Sequence, residues 1–238
     1  MEVLGEIWAR VVETQPLPDP SLVLAAAALA LVAVWLRPAW RRTRHVVTIA
    51  HEGAHGVVAA LSGRRLAGIR LHSDTSGLTL SKGRPRGPGM VATAAAGYVG
   101  PALLGLGAAL LLSTGRPVAV LWLLLLLLAL LLLQIRNLFG LWSVLVTGAA
   151  LLAVSWWLPD TAQALVAYLV TWFLLLAAPR PVLELQGARR RGRARDSDAD
   201  QLARLTGVPG IVWIGMFLLV TLGSPVVGAL VLVPGLTG

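Results

Sequence analysis

Residues 118–133 read VAVLWLLLLLLALLLL, sixteen positions with no charge, no glycine and no proline. That is roughly the length needed to cross a hydrocarbon core of about 30 Å. The runs Leu138–Leu158 and Ala162–Ala178 follow, and further apolar stretches occupy Ser21–Leu36, Met90–Leu112 and Ile211–Val233. Over 238 residues the chain is 57% hydrophobic and 13% charged, about half the charge of an ordinary globular chain. Most soluble enzymes are excluded by that balance, and the longest polar stretches, about 25 residues, leave no room for a soluble domain of ordinary size. The expectation is an all-α polytopic membrane protein of about six to seven apolar segments. Residues 1–20 form an N-terminal external segment and 21–238 one integral membrane domain. The acidic Glu2, Glu6 and Glu13 stand where a cleaved signal peptide would be basic.

With no cysteine, disulfides, thiolate metal sites and cysteine nucleophiles are ruled out. The net charge of +9 rests on 19 Arg and one Lys against 11 acids. In a membrane protein such an excess reads as loops retained on the cytoplasmic side, pressed against anionic lipid, and not as a nucleic-acid site. Four basic residues lie in 37–44, six in 63–89 and seven in 180–206, with single ones at Arg10, Arg116 and Arg136. If every apolar stretch crossed fully, these clusters would fall on opposite sides. If the weakly apolar helix from about His45 to Leu61 enters and returns, then 37–44, 63–89, Arg136 and the basic loop 180–206 share one side, 18 of the 20. Alternation in Leu66–Leu71 and Leu78–Leu80 adds a small β-hairpin turning near Ser73–Gly77. Irregular backbone at membrane depth survives only inside protein or beside a wet cavity, so the segment that breaks the pattern is where a site belongs.

That segment contains His51-Glu52-Gly53-Ala54-His55. Positions i and i+4 of a helix share a face, so both imidazoles can reach one metal ion, with Glu52 beside them to take a proton from water. One zinc per chain fits these donors, since zinc accepts nitrogen and oxygen and keeps an open position for water. Random order would produce the motif roughly once in several hundred chains of this composition, and ionisable side chains at membrane depth are costly unless paired or hydrated. A tetrahedral site needs a third protein ligand. His45 lies on a poorly matched face; His72 and Asp74 belong to the hairpin turn; Asp160 falls on the external side. Glu184, at the end of an apolar helix, and Asp198, in a segment whose Ser197 reads as a helix cap, are the leading alternatives, with Asp196, Asp200 and Asn137 behind them.

The chain resembles the site-2 protease type of intramembrane zinc metallopeptidase, in the short bacterial and plant branch that lacks a PDZ domain. The likeness rests on the histidine motif, on Ser76-Gly77-Leu78-Thr79, on Ala96-Gly97-Tyr98-Val99-Gly100-Pro101, on Arg136-Asn137-Leu138-Phe139-Gly140 and on Ser197-Asp198-Ala199-Asp200-Gln201-Leu202-Ala203. It implies a protease cutting a transmembrane protein substrate within the lipid bilayer, with zinc on His51 and His55, Glu52 as general base and Asn137 holding the substrate strand. Larger members carry N-x-x-P-x-x-x-L-D-G, whose Asp completes the zinc site; here Gly140 replaces the Pro and Leu145 the Asp, so the third ligand does not carry over. The resemblance and the Arg-for-Lys bias together imply a bacterial cytoplasmic membrane. The competing readings are a non-catalytic membrane scaffold and a small ion or metal transporter built on His51, Glu52 and His55.

Overall fold

The structure, a computed structural model, describes residues 2–193 and 196–233. After a short amphipathic helix, α1 (Glu2–Val12), the chain enters α2 (Pro20–Trp35), where the Asp19 carboxylate accepts from Ser21 N at 2.8 Å and caps the helix. Val23, Ala26, Ala30 and Val34, spaced three and four apart, bury one face of α2, and that face packs on α7 (Asp160–Ala177). Pro38 lacks the N–H that would continue α2 past Leu36. There the chain turns by 101° into α3 (Arg37–Leu61).

The hairpin follows as β1 (Arg65–Leu71) and β2 (Gly77–Lys82), antiparallel, with Ile69 opposite Thr79 and Leu71 opposite Gly77. The outer edge of β1 is also taken. Ile69 N donates to Gln134 O at 2.7 Å, Arg136 N donates to Ile69 O at 2.9 Å, and the Asn137 side chain holds both polar groups of Leu71. Because Ile69 and Leu71 turn their main-chain groups away from β2, their partners Thr79 and Gly77 turn theirs to the free edge of β2.

Next come α4 (Pro88–Ser113), α5 (Pro117–Leu132) and α6 (Leu138–Trp157), then α7, α8 (Pro179–Arg190), α9 (Asp198–Thr206) and α10 (Gly210–Leu232). Small residues of α4 bring it against α3: a Cβ on Gly100 would lie 2.2 Å from Ala54 Cβ. Three clusters hold the buried side chains. One joins α2, α4, α5 and α7, a second packs α8 and α9 on α4 and α10 through Val182, Ala199, Leu202 and Phe217, and a third joins α3, β1 and the 131–144 stretch through Ile49, Ile69, Leu131 and Val144.

The chain is mostly helical and apolar with one small hairpin; of the six to seven apolar segments counted in the sequence, four to five have the length and composition of a membrane span. Among the described residues four helical stretches are long and apolar enough to cross a membrane, Pro88–Ser113, Leu138–Trp157, Asp160–Arg190 and Gly210–Leu232, and a fifth if the bent α2–α3 pair is one span. The count falls because α3 is folded away from α2, and because the 16 residues of α5 extend only about 24 Å. The stretch 180–206, expected as a loop, is largely α8 and α9. Helix α1 was not read from the sequence, where 1–20 is expected only as an N-terminal external segment; its apolar positions 3, 4, 7, 8, 11 and 12 recur at helical spacing.

The basic clusters 37–44, 63–89, Arg136 and 180–206 gather at one end. The contacts that draw them together are Arg44 with Glu184, Thr48 with Thr75, and Ile69 with the 134–136 segment. At the opposite end Gln15 N donates to Gly115 O.

Candidate metal centre

His51 and His55 lie one helical turn apart on α3, as the i, i+4 spacing requires. The third group comes from 143 residues away, on α9: Asp198 Oδ2 stands 3.3 Å from His51 Nε2 and 3.3 Å from His55 Nε2, while the two Nε2 atoms are 3.1 Å apart. Four ligands about 2.0–2.1 Å from a tetrahedral zinc are about 3.3 Å from one another, so the triangle has the size of one face of a zinc site. His55 Nδ1 donates to Thr93 O at 2.6 Å, which leaves the Nε2 lone pair pointing at His51 and Asp198. Two imidazole nitrogens and a carboxylate oxygen converging at these distances form a donor set that zinc accepts.

Gly97 on α4 closes the site from the other side. A Cβ there would sit 2.3 Å from His55 Nε2 and 2.5 Å from His51 Nε2, near the length of a zinc–nitrogen bond. Only a glycine leaves that space open. Its place was not read from the sequence; the signal was the Gly-Tyr-x-Gly-Pro stretch, which by itself indicates only close helix packing.

Asp198 is delivered by local chemistry. Ser197 caps α9, with the reciprocal bond from Ser197 N to Asp200 Oδ2 at 3.2 Å completing a capping box. Asp200 in turn is paired with Arg189 of α8, while Ala199 and Leu202 are fully buried. Burial works to raise the Asp198 carboxyl, but hydrogen bonds and charge from His51 and His55 overcome it and hold the group well below the usual carboxylate range. For Asp200, burial likewise raises and the Ser197 and Arg189 bonds win, lowering it.

Glu52 is buried beside the triangle without joining it. Its Oε2 accepts from Thr79 Oγ1 at 2.7 Å, and its carboxyl presses on β2 so closely that a Cβ on Gly77 would meet it at 2.5 Å. A polar cleft of about 200 Å³ opens over this group, lined by Arg44, Thr48, His51, Glu52, Gly77 and Tyr98 among others. A larger cleft of about 690 Å³ lies on the far side of α3, lined almost wholly by apolar residues such as Val57, Leu103 and Leu128, and offers no titratable group.

The structure does not bring Glu184 to the histidines. It ties α8 to α3 instead: its Oε1 accepts from Trp40 Nε1 at 3.0 Å, Arg180 Nε is 3.4 Å away, and Arg44 Nη2 lies 3.2 Å from Oε2 as a charge contact without hydrogen-bond alignment. Arg180 also stacks over Trp40, 4.4 Å from the ring. Sequence position could not separate the two carboxylates, since both follow apolar helices at the same end. Glu184→Ala is expected to leave zinc stoichiometry unchanged. It should lower stability by about 1–3 kcal/mol, because the buried Trp40 N–H loses its acceptor; zinc assay and a thermal melt of the same sample check this. The remaining candidates are also elsewhere. His45 packs on Phe139, His72 and Asp74 bond Ser76 within the hairpin turn, Asp196 pairs with Arg204, and Asp160 begins α7. Asn137 is occupied by Leu71, as described above.

A His-His-Asp cluster with a neighbouring glutamate beside the hairpin, set among helices of membrane-spanning length, is compatible with a membrane metallopeptidase. The chain belongs to the Peptidase M50B-like family, whose model matches residues 24–228. Neither curated proteins nor solved structures give a match.

Proposed function

We propose that this chain is an intramembrane zinc metalloprotease that hydrolyses peptide bonds in or near transmembrane segments of membrane-protein substrates. The observation that carries the reading is the convergence of His51, His55 and Asp198 within zinc-ligand spacing beside Glu52. His51, His55 and Asp198 hold the ion. When bound, zinc supplies Lewis acidity, polarising a carbonyl and acidifying a water towards a pKa of about 7. Glu52 takes the proton from the attacking water and passes it to the leaving amine nitrogen. Thr79 donates to one oxygen of Glu52 and so orients the other. Thr93 fixes the ring of His55 through Nδ1.

A transmembrane helix must unwind before its amides can react, and an extended strand needs main-chain partners. The free edge of β2, with the N–H and C=O of Gly77 and Thr79 turned outward next to Glu52, is the surface that takes it. Asn137 serves this indirectly by fixing β1 on its other edge, which differs from a direct hold on the substrate. The basic end, 37–44, 63–89, Arg136 and 180–206, faces the cytoplasm of a bacterial cell and the N-terminal segment lies outside.

The test is metal content and cleavage on one preparation. Wild-type protein should hold about one zinc per chain and His51→Ala none. Glu52→Gln should retain zinc and lose cleavage of a single-span reporter by roughly 10²–10⁴-fold. A folded wild type that takes up no zinc when resupplied would sink the proposal in favour of a scaffold. Zinc transport by a chain indifferent to Glu52→Gln would favour the transporter.

A further inference from the structure

Tyr98 stands at the site with no part in the roles assigned above. It follows Gly97 on α4, its ring perpendicular to that of His51 with centroids 4.8 Å apart. On the other side it stacks on Phe217 of α10 at 5.1 Å and 25°. A ring held between two others has one orientation, so its hydroxyl is aimed by packing. It is not aimed by a partner, since among the described residues the hydroxyl makes no hydrogen bond. It is also not sealed away. Tyr98 lines the polar cleft with Arg44, Thr48, His51, Glu52 and Gly77. Of the other donors lining the cleft, Arg44 is drawn to Glu184 at 3.2 Å, Thr48 Oγ1 donates to Thr75 O at 2.9 Å and Ser76 Oγ donates to Asp74 Oδ1 at 2.6 Å.

We propose that Tyr98 is a catalytic hydrogen-bond donor whose phenol O–H stabilises the negative charge developing on the scissile carbonyl oxygen. The proposal rests on the peptide-hydrolysis reading above. In the addition step the water oxygen bonds to the carbonyl carbon, the C=O π pair moves onto oxygen, and Glu52 takes the water proton. In the collapse that pair re-forms C=O, the C–N bond breaks, and the proton passes from Glu52 to the amine. Tyr98 keeps its own proton throughout. A donor fixed by packing before the reaction, in a polar cleft beside Glu52 and His51, acts on the transition state without reorganising. The free hydroxyl, the rigid ring and the position one residue from the glycine that makes room for the metal are what single it out.

Tyr98→Phe keeps both ring contacts and removes only the donor. With full-length, zinc-loaded protein in nanodiscs, turnover of the single-span reporter should fall on the order of 10²-fold with KM unchanged. Affinity for a leucine-rich phosphinic peptide, tetrahedral at phosphorus, should fall by a similar factor. Zinc content should stay at the wild-type level, and binding of the uncleaved reporter to Glu52→Gln should be the same with and without Tyr98→Phe. Wild-type turnover and phosphinic affinity in Tyr98→Phe overturn the proposal and leave Tyr98 a packing pillar, as does loss of zinc in that variant. A wild type that neither holds zinc nor cleaves overturns the parent reading, and the proposal with it.

Discussion

Gly97→Ala is expected to abolish zinc binding and proteolysis while the helix bundle stays folded. The added methyl would lie 2.3 and 2.5 Å from the two imidazole nitrogens, a separation at which something must move. The imidazoles cannot easily retreat: His55 is fixed by Thr93 O at 2.6 Å, and His51 is backed by Tyr98. Yet in the interior of α4 alanine is the better helix former by up to about 1 kcal/mol, so nothing in the backbone opposes the change. The expected result is therefore a melting temperature within a few degrees of wild type, zinc occupancy near zero and no detectable cleavage. Zinc analysis, far-UV circular dichroism and the reporter assay on one preparation check it. Normal zinc content in a folded Gly97→Ala protein would mean that the ion is not held between α3 and α4.

Asp198→Ala should separate the ligand from its carrier. The capping box is made by Ser197 and Asp200, and the anchoring of α9 by Ala199 and Leu202, so α9 persists when Asp198 is removed. The helix loses one carboxylate from its first turn, worth about 0.3–1 kcal/mol. Zinc affinity should suffer far more. If the roughly 10–16 kcal/mol of a four-ligand structural zinc is shared among its donors, losing one weakens binding by on the order of 10²–10³-fold. Competition with a chelator of known affinity measures this, and Glu184→Ala, expected to bind zinc as wild type does, is the matched control. Wild-type zinc affinity in Asp198→Ala would remove the aspartate from the ligand set.

Much of this was legible in the order of residues. Composition placed the chain in a membrane because runs such as 138–158 are apolar and long enough to span a hydrocarbon core. The i, i+4 spacing of His51 and His55 paired them because helix geometry is local, and the alternation around Leu66–Leu71 yielded the hairpin because strand geometry is too. Even the grouping of the basic clusters followed from a one-dimensional count.

Long-range placement was not legible. Asp198 and Glu184 are both carboxylates at the same end of the molecule, and what separates them is the docking of α8 and α9 on α4 and α10 through Val182, Ala199, Leu202 and Phe217. That docking turns Asp198 to the histidines and leaves Glu184 facing Arg44 and Trp40. The crossing of α3 by α4, which puts Gly97 over the imidazoles and Tyr98 against His51, is equally a tertiary result, as is the 101° turn at Leu36 that keeps α3 from continuing α2. The sequence alone identified a set of candidate metal ligands and an integral membrane chain, since donor chemistry and hydropathy belong to single residues and short windows. Which of them meet was decided only by the packing of segments more than a hundred residues apart, where side-chain shape rather than spacing selects the neighbour.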